Sequence, residues 1–171
     1  MDPGKKRIKN IETILYLCPD CNHLGTIKSK GKRFFCDCGL YGIFDKEGLL
    51  KGDSLQFSMI TEWCKWQLGQ LPVIIGKSGY DPICTDHNQQ LFIHLQANKK
   101  ALAGEGVMYI SHTVFHCAGF NFPLADILEF STAGQQMLLF TLLDGKTYEV
   151  RSKYPLSTLK YRDIFRTIAG E

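Results

Sequence analysis

The sequence predicts a mainly β protein with some helix, an α+β chain. A small metal-stapled β ribbon precedes a larger antiparallel β sandwich or barrel that carries a C-terminal helix. Three observations predict it. Four of the seven cysteines fall within "CPDCNHLGTIKSKGKRFFCDCG" at 18–39. From residue 82 onward, short apolar or alternating runs are separated by Gly, Asn, Asp and Pro. The last segment, "PLSTLKYRDIFRTIAGE", sets Tyr161, Ile164, Phe165 and Ile168 at i, i+3, i+4 and i+7, the apolar stripe of an amphipathic helix expected over 156–169.

In chain order, residues 1–12 read as a flexible basic linker and 13–51 as the ribbon. Within the ribbon, "TIKSKGKRFF" gives a hairpin turning at Ser29–Gly31, and "LYGIFDKEGLL" gives a strand pair around Lys46–Gly48. Residues 52–80 read as a helical connector built on "SMITEWCKWQLGQL", with Ser58 as N-cap. Ile60, Trp63 and Gln67 would share one helix face, flanked by Met59 and Trp66. The two tryptophans suit core packing better than a membrane-surface anchor. Residues 81–171 form the β domain, with strands expected at 82–86, 90–96, 106–111, 113–117, 126–131, 136–143 and 146–152. About seven short antiparallel strands followed by one helix is the element order of the pleckstrin-homology-like (GRAM-like) fold.

The 171 residues suffice for one domain plus a small module, and 44% hydrophobic with 22% charged residues allow a sizeable core. The longest apolar run, "MLLFTLL" at 137–143, falls far short of the roughly 18 residues a spanning helix needs. "MDPGKKRIKN" has cations but no apolar segment behind them, which excludes a signal peptide. The thiols are therefore expected in a reducing cytoplasm, where clustered cysteines bind metal more readily than they form disulfides. Cys64, Cys84 and Cys117 read as scattered free thiols.

Charge is uneven. Residues 1–51 carry ten Lys and Arg against six Asp and Glu, so +4, while 52–171 carry ten against eleven, so −1. The cations cluster at Lys5, Lys6, Arg7 and Lys9 and again at Lys28, Lys30, Lys32 and Arg33. Such a face suits phosphates of nucleic acid or anionic lipid, with an ordinary solvated surface as the plain alternative.

Cys18-x-x-Cys21 and Cys36-x-Cys38 are separated by the hairpin. Two cysteine turns side by side supply the four soft tetrahedral ligands zinc prefers, and one structural zinc per chain is expected at Cys18, Cys21, Cys36 and Cys38. Gly25 and Gly39 would let the backbone turn around sulfur. The second knuckle is one residue shorter than the usual Cys-x-x-Cys. A redox pair, a site that has lost its metal, and His23 replacing one thiol are the alternatives. Four thiolates leave no position for water or substrate, so the site is structural and not catalytic. A weaker constellation, His112 and His116 with Cys117, would make a second metal site if one strand aligned them. No phosphate-binding glycine loop, Gly-x-Ser-x-Gly elbow or His-Glu-x-x-His helix occurs. The first hairpin loop of the β domain would be "DHNQQ" at 86–90, which lacks the cations of a phosphoinositide site.

The strings "LYLCPDCNHLGTIKSKGKRFFCDCGL" and "TEWCKWQ", with the basic "GKKRIKNIE" at 4–12 and "FPL" at 122–124, resemble the C-terminal extension of bacterial (Firmicutes-type) 1-acyl-glycerol-3-phosphate acyltransferases. That resemblance implies a module serving a phospholipid-biosynthetic enzyme. The family's His-x-x-x-x-Asp signature is absent. Five residues beyond His23, His87, His94, His112 and His116 stand Lys28, Phe92, Lys99, Cys117 and Asn121. The Glu-Gly-x-x-Ser phosphate element is absent too, so the chain is expected to be the non-catalytic C-terminal part. The expected partners are the acyltransferase domain or the anionic inner face of the cell membrane, met through Lys28, Lys30, Lys32 and Arg33. A nucleic-acid-binding zinc ribbon is the alternative, weakened because Phe34 and Phe35 are the only aromatics interleaved with the charges.

Overall fold

A computed structural model describes residues 9–134 and 136–171; the expected basic cluster at Lys5, Lys6 and Arg7 lies outside them. The chain is α+β, with two antiparallel sheets and two α-helices. It divides into two compact units, one reaching residue 69 and one from 70 to 171.

The first unit is built on period-two alternation. Strands β1 (Ile27–Lys30), β2 (Arg33–Cys36), β3 (Tyr41–Phe44) and β4 (Leu50–Lys51) pair in sequence order as a four-stranded meander. Ile27, Phe34, Cys36, Phe44 and Leu50 point inward, and their neighbours point out. Gly42, which also faces inward on β3, must be glycine because a Cβ there would lie 2.5 Å from the Phe34 ring. Helix α1 (Ile60–Lys77) is longer than the expected 58–71 and continues through Pro72. Ser58 does not cap by its own oxygen; instead the Glu62 carboxylate reaches back to the Ser58 and Met59 amides at 2.9 and 3.1 Å.

The first half of α1 closes the ribbon's core. Trp63 is fully buried, edge-on to Phe34 at 5.7 Å, and its Nε1–H donates to the Leu17 carbonyl at 2.8 Å. Gln67 donates to the Ile14 carbonyl at 3.0 Å and accepts from the Tyr16 amide at 3.1 Å. These side chains satisfy the backbone of the irregular 11–18 segment, which is why that segment can be buried. Ile11, within the span expected to be linker, is fully buried in a 3-10 turn over Ile11–Thr13. Trp66 is half-buried against Phe57 at 5.5 Å, so both tryptophans pack as expected.

In the second unit, β5 (Cys84–His94), β6 (Lys100–Ile110), β7 (Val114–Cys117), β8 (Phe120–Pro123), β9 (Ile127–Ala133), β10 (Met137–Leu142) and β11 (Thr147–Ser152) form one sheet ordered β8-β7-β6-β5-β11-β10-β9. The sheet folds over an aromatic cluster. Phe115 of β7 meets Phe130 of β9 and Phe140 of β10 edge-on at 5.1 and 5.2 Å. Helix α2 (Thr158–Ala169) adds Tyr161 and Phe165 to it, and Gly170 ends the helix in the left-handed region.

Two expectations fail here. "DHNQQ" is not a hairpin loop: β5 runs straight through it, with a register shift between Asp86 and Gln89 and Asn88 at φ 57°. The polar run is a bulge, held because buried Gln89 bonds the His87 carbonyl and the Ser152 and Tyr154 hydroxyls. The first hairpin turns instead at 95–99, and β6 begins at Lys100 rather than 106. Its weak β formers are imposed by the ladder, and Gly104 is needed there because a Cβ would meet the Ala118 carbonyl at 2.9 Å. Strand β8 was not expected at all; "FNFP" forms the sheet edge, where proline is tolerated.

One buried carboxylate ties β5, β6 and β11. Glu149 accepts from Lys100 at 2.9 Å and from Arg151, and lies 3.0 Å from His94 Nε2. Burial pushes its carboxyl up, but these three partners win and hold it at about 2 instead of 4.5. The folded pKa is depressed, so the contribution is complete above about 4.5 and is lost as pH falls toward 2. Because His94 and Arg151 are well exposed and screened, this is on the order of 1–2 kcal/mol. In acid titrations followed by near-UV circular dichroism, Glu149→Gln should flatten the loss of stability over that interval. A wild-type slope in the variant would count against the assignment.

Candidate metal centre and the outward face of the ribbon

The first knuckle forms as the chain leaves the buried 15–18 segment. Cys18, Pro19, Asp20 and Cys21 turn over, Asn22 at φ 57° donates to the Cys18 carbonyl at 2.9 Å, and the Cys18 amide donates to the His23 carbonyl at 3.2 Å. The second knuckle follows β2 directly. Gly39 at φ 106° donates to the Cys36 carbonyl at 3.0 Å, and the Cys36 amide donates to the Leu40 carbonyl at 2.9 Å. Both glycines expected to allow these turns, Gly25 and Gly39, have positive φ.

The knuckles bring the four Sγ atoms of Cys18, Cys21, Cys36 and Cys38 within 4.8 Å of one another. Cys18 and Cys38 are 3.6 Å apart, Cys21 and Cys36 are 3.8 Å apart, and all four are free thiols. A tetrahedral ion with bonds of about 2.3 Å to sulfur has ligand edges of about 3.8 Å, so these four residues are placed to share one metal ion with small side-chain adjustments. The shorter Cys-x-Cys knuckle still brings both of its sulfurs into the cluster. Burial pushes the Cys18 thiol up. Burial also pushes up Cys36, but the Cys38 amide and the Thr26 hydroxyl, 3.3 Å away, outweigh it and bring the thiol to about 7. His23 is exposed and outside the cluster, contributing its carbonyl only.

The second constellation does not assemble. His112 Nε2 lies 3.0 Å from Ser78 Oγ, His116 stacks on Tyr109 and pairs with Asn121 at 2.7 Å, and Cys117 is buried. Among the described residues the four cysteines are the one group of metal-ligating side chains gathered at a point.

Of the expected contact residues, Lys30, Lys32 and Arg33 stand exposed at the β1–β2 turn. Lys28 is different, because both Asp37 oxygens take it at 2.9 and 3.2 Å, tying β1 to the second knuckle. Phe34 is fully buried, so it offers no stacking surface; Phe35 and Tyr41, directly opposed on β2 and β3, do. The sequence reading missed Ile43, Leu49 and Lys51, which share the outward face. Their signal was present in the alternation of "LYGIFDKEGLLK" but needed the register of β3 and β4 to be read.

Neither the protein-family models nor the curated proteins searched contain a match to this chain. Among the described residues, no helix is long and apolar enough to cross a membrane.

Proposed function

We propose that the chain is a non-catalytic docking module: a zinc-stapled ribbon, followed in sequence by a pleckstrin-homology-like β domain, that brings the ribbon's basic outward face to an anionic membrane surface. The observation that carries this reading is the ribbon's exposed face, where Lys30, Lys32, Arg33 and Lys51 surround apolar side chains and ion-pair with no carboxylate among the described residues. Zinc is the ion of choice because four cysteine thiolates at tetrahedral spacing favour it. A full thiolate shell assigns it a structural role: holding the hairpin that presents the cations. The pleckstrin-homology-like reading is supported by the strand order, in which β5 pairs with both β6 and the last strand β11, followed directly by α2.

The link to phospholipid acylation rests on the likeness of "CPDCNHLGTIKSKGKRFFCDCG" and its flanks to acyltransferase extensions. An acyl-transfer assay on this chain alone should read blank. The Ser78–His112 pair does not alter that expectation, since the Ser78 hydroxyl also bonds the Ile75 carbonyl at 2.7 Å near the end of α1. Co-sedimentation tests the docking itself: retention on anionic vesicles should exceed retention on neutral ones at low salt and decline as salt rises. Equal retention on both would sink the reading. Phe35 opposite Tyr41 favours a second reading, single-stranded nucleic acid, which a salt-dependent gel shift would reveal.

A further inference from the structure

The register of the ribbon sorts its outward face into two cross-strand rows. One runs Lys28, Phe35, Tyr41. The other runs Lys30, Arg33, Ile43, Lys51, each residue directly opposite the next on β1, β2, β3 and β4. In the second row cations sit on both sides of one exposed isoleucine. Around it opens a groove of about 400 Å³, with Lys32 at the β1–β2 turn and Leu49 at the β3–β4 turn adding to its wall. Ile43 and Leu49 are 41% and 42% exposed, although each could be polar without loss to the core. The one carboxylate on the groove, Asp45, is engaged by its own turn, where Oδ1 accepts from the Glu47 and Leu49 amides at 2.9 Å.

This arrangement works against the sheet. Lys30 opposite Arg33 is a like-charge cross-strand pair, which destabilises a ladder, and no acid among the described residues relieves it. Four cations lining one groove around an exposed aliphatic floor suit a phosphate carried next to an apolar chain. We infer that this groove receives the phosphate headgroup of an anionic phospholipid, with Lys30, Lys32, Arg33 and Lys51 around the phosphate and Ile43 and Leu49 against the glycerol and first acyl carbons. The inference rests on the membrane-docking reading and gives it a specific site. Nucleic acid fits the groove less well, because its exposed floor, Ile43 and Leu49, is aliphatic and offers bases no ring to stack on.

The test is flotation of the full zinc-loaded chain with vesicles of phosphatidylcholine alone or of phosphatidylcholine carrying phosphatidic acid. Arg33→Gln and Lys51→Gln should each weaken binding to the anionic vesicles about five-fold at low salt. Ile43→Ser should weaken it equally at low and high salt, since it removes an apolar contact. Lys30→Glu should lower binding while raising the unfolding midpoint, because it replaces a repulsive pair with an attractive one. If wild type ignores the anionic lipid, the docking reading itself falls. If wild type binds but Ile43→Ser and Lys51→Gln bind as well as it does, this groove is overturned while docking stands. A single-stranded oligonucleotide that displaces the chain from vesicles and loses affinity with Ile43→Ser would also overturn the lipid assignment.

Discussion

Removing the metal from the four-cysteine site should unfold residues 13–50 and leave the seven-stranded unit folded. Cys18 and Cys36 belong both to the proposed metal site and to the ribbon's buried cluster, beside Ile27, Phe34, Leu40 and Trp63. Without an ion, the two knuckles lose the bonds that would tie Cys18 and Cys21 to Cys36 and Cys38. The apolar cluster alone is small, and structural zinc in such sites contributes about 10–16 kcal/mol of apparent binding energy that is also folding energy. Metal analysis should return one zinc per chain. Amide exchange after chelation should show protection lost across β1 to β4 and in the first turns of α1, where Trp63 packs, and kept across β5 to β11. Cys36→Ser should reproduce the chelated pattern. Full protection of the ribbon in chelator would show that its core suffices without metal.

The second large effect is expected at Asp86. Lys160 of α2 is 3% exposed, and its ammonium meets Asp86 Oδ2 at 2.7 Å; the buried Tyr161 hydroxyl donates to the same oxygen at 2.7 Å. Beside them, burial pushes the Cys84 thiol up to about 12, so it stays protonated. Asp86→Ala leaves the Lys160 ammonium buried without its anion, which should cost about 3–5 kcal/mol and lower the melting temperature by more than about 12 °C. Adding Lys160→Met should restore most of that loss, since an apolar side chain of similar length needs no partner. Lys160→Met alone should be milder than Asp86→Ala, because the carboxylate keeps the Tyr161 hydroxyl. Denaturant unfolding of the three variants decides it. Equal losses in single and double variants would mean the pair does not anchor α2 to the sheet.

Legibility in the sequence followed the range of the interactions. The two cysteine knuckles, the β1–β2 hairpin and the α2 stripe rest on contacts within a few residues, and spacing alone exposes such contacts; the hairpin then brings the two knuckles together. The bulge at Asn88 looked like a turn because Asp, His and Asn are turn formers. Its fate was decided by Gln89 reaching Ser152 and Tyr154, more than sixty residues away. Nothing near Lys160 in sequence announces its burial either, since its partner Asp86 lies on another element. The outward groove needed register: Lys51 becomes a neighbour of Arg33 only because Ile43 stands between them on β3. Phe34 and Phe35 show the same limit at one-residue scale, as alternation sends the first to the core and the second to solvent.

The most direct measurement is flotation of the intact chain with vesicles carrying phosphatidic acid, run once zinc-loaded and once after chelation. The account predicts that the zinc-loaded chain rises with these vesicles and not with phosphatidylcholine alone, and that chelation abolishes the difference by dissolving the face that carries Lys30, Arg33 and Lys51. A chain that distributes alike between the two vesicles, or that binds as well without metal as with it, would contradict it.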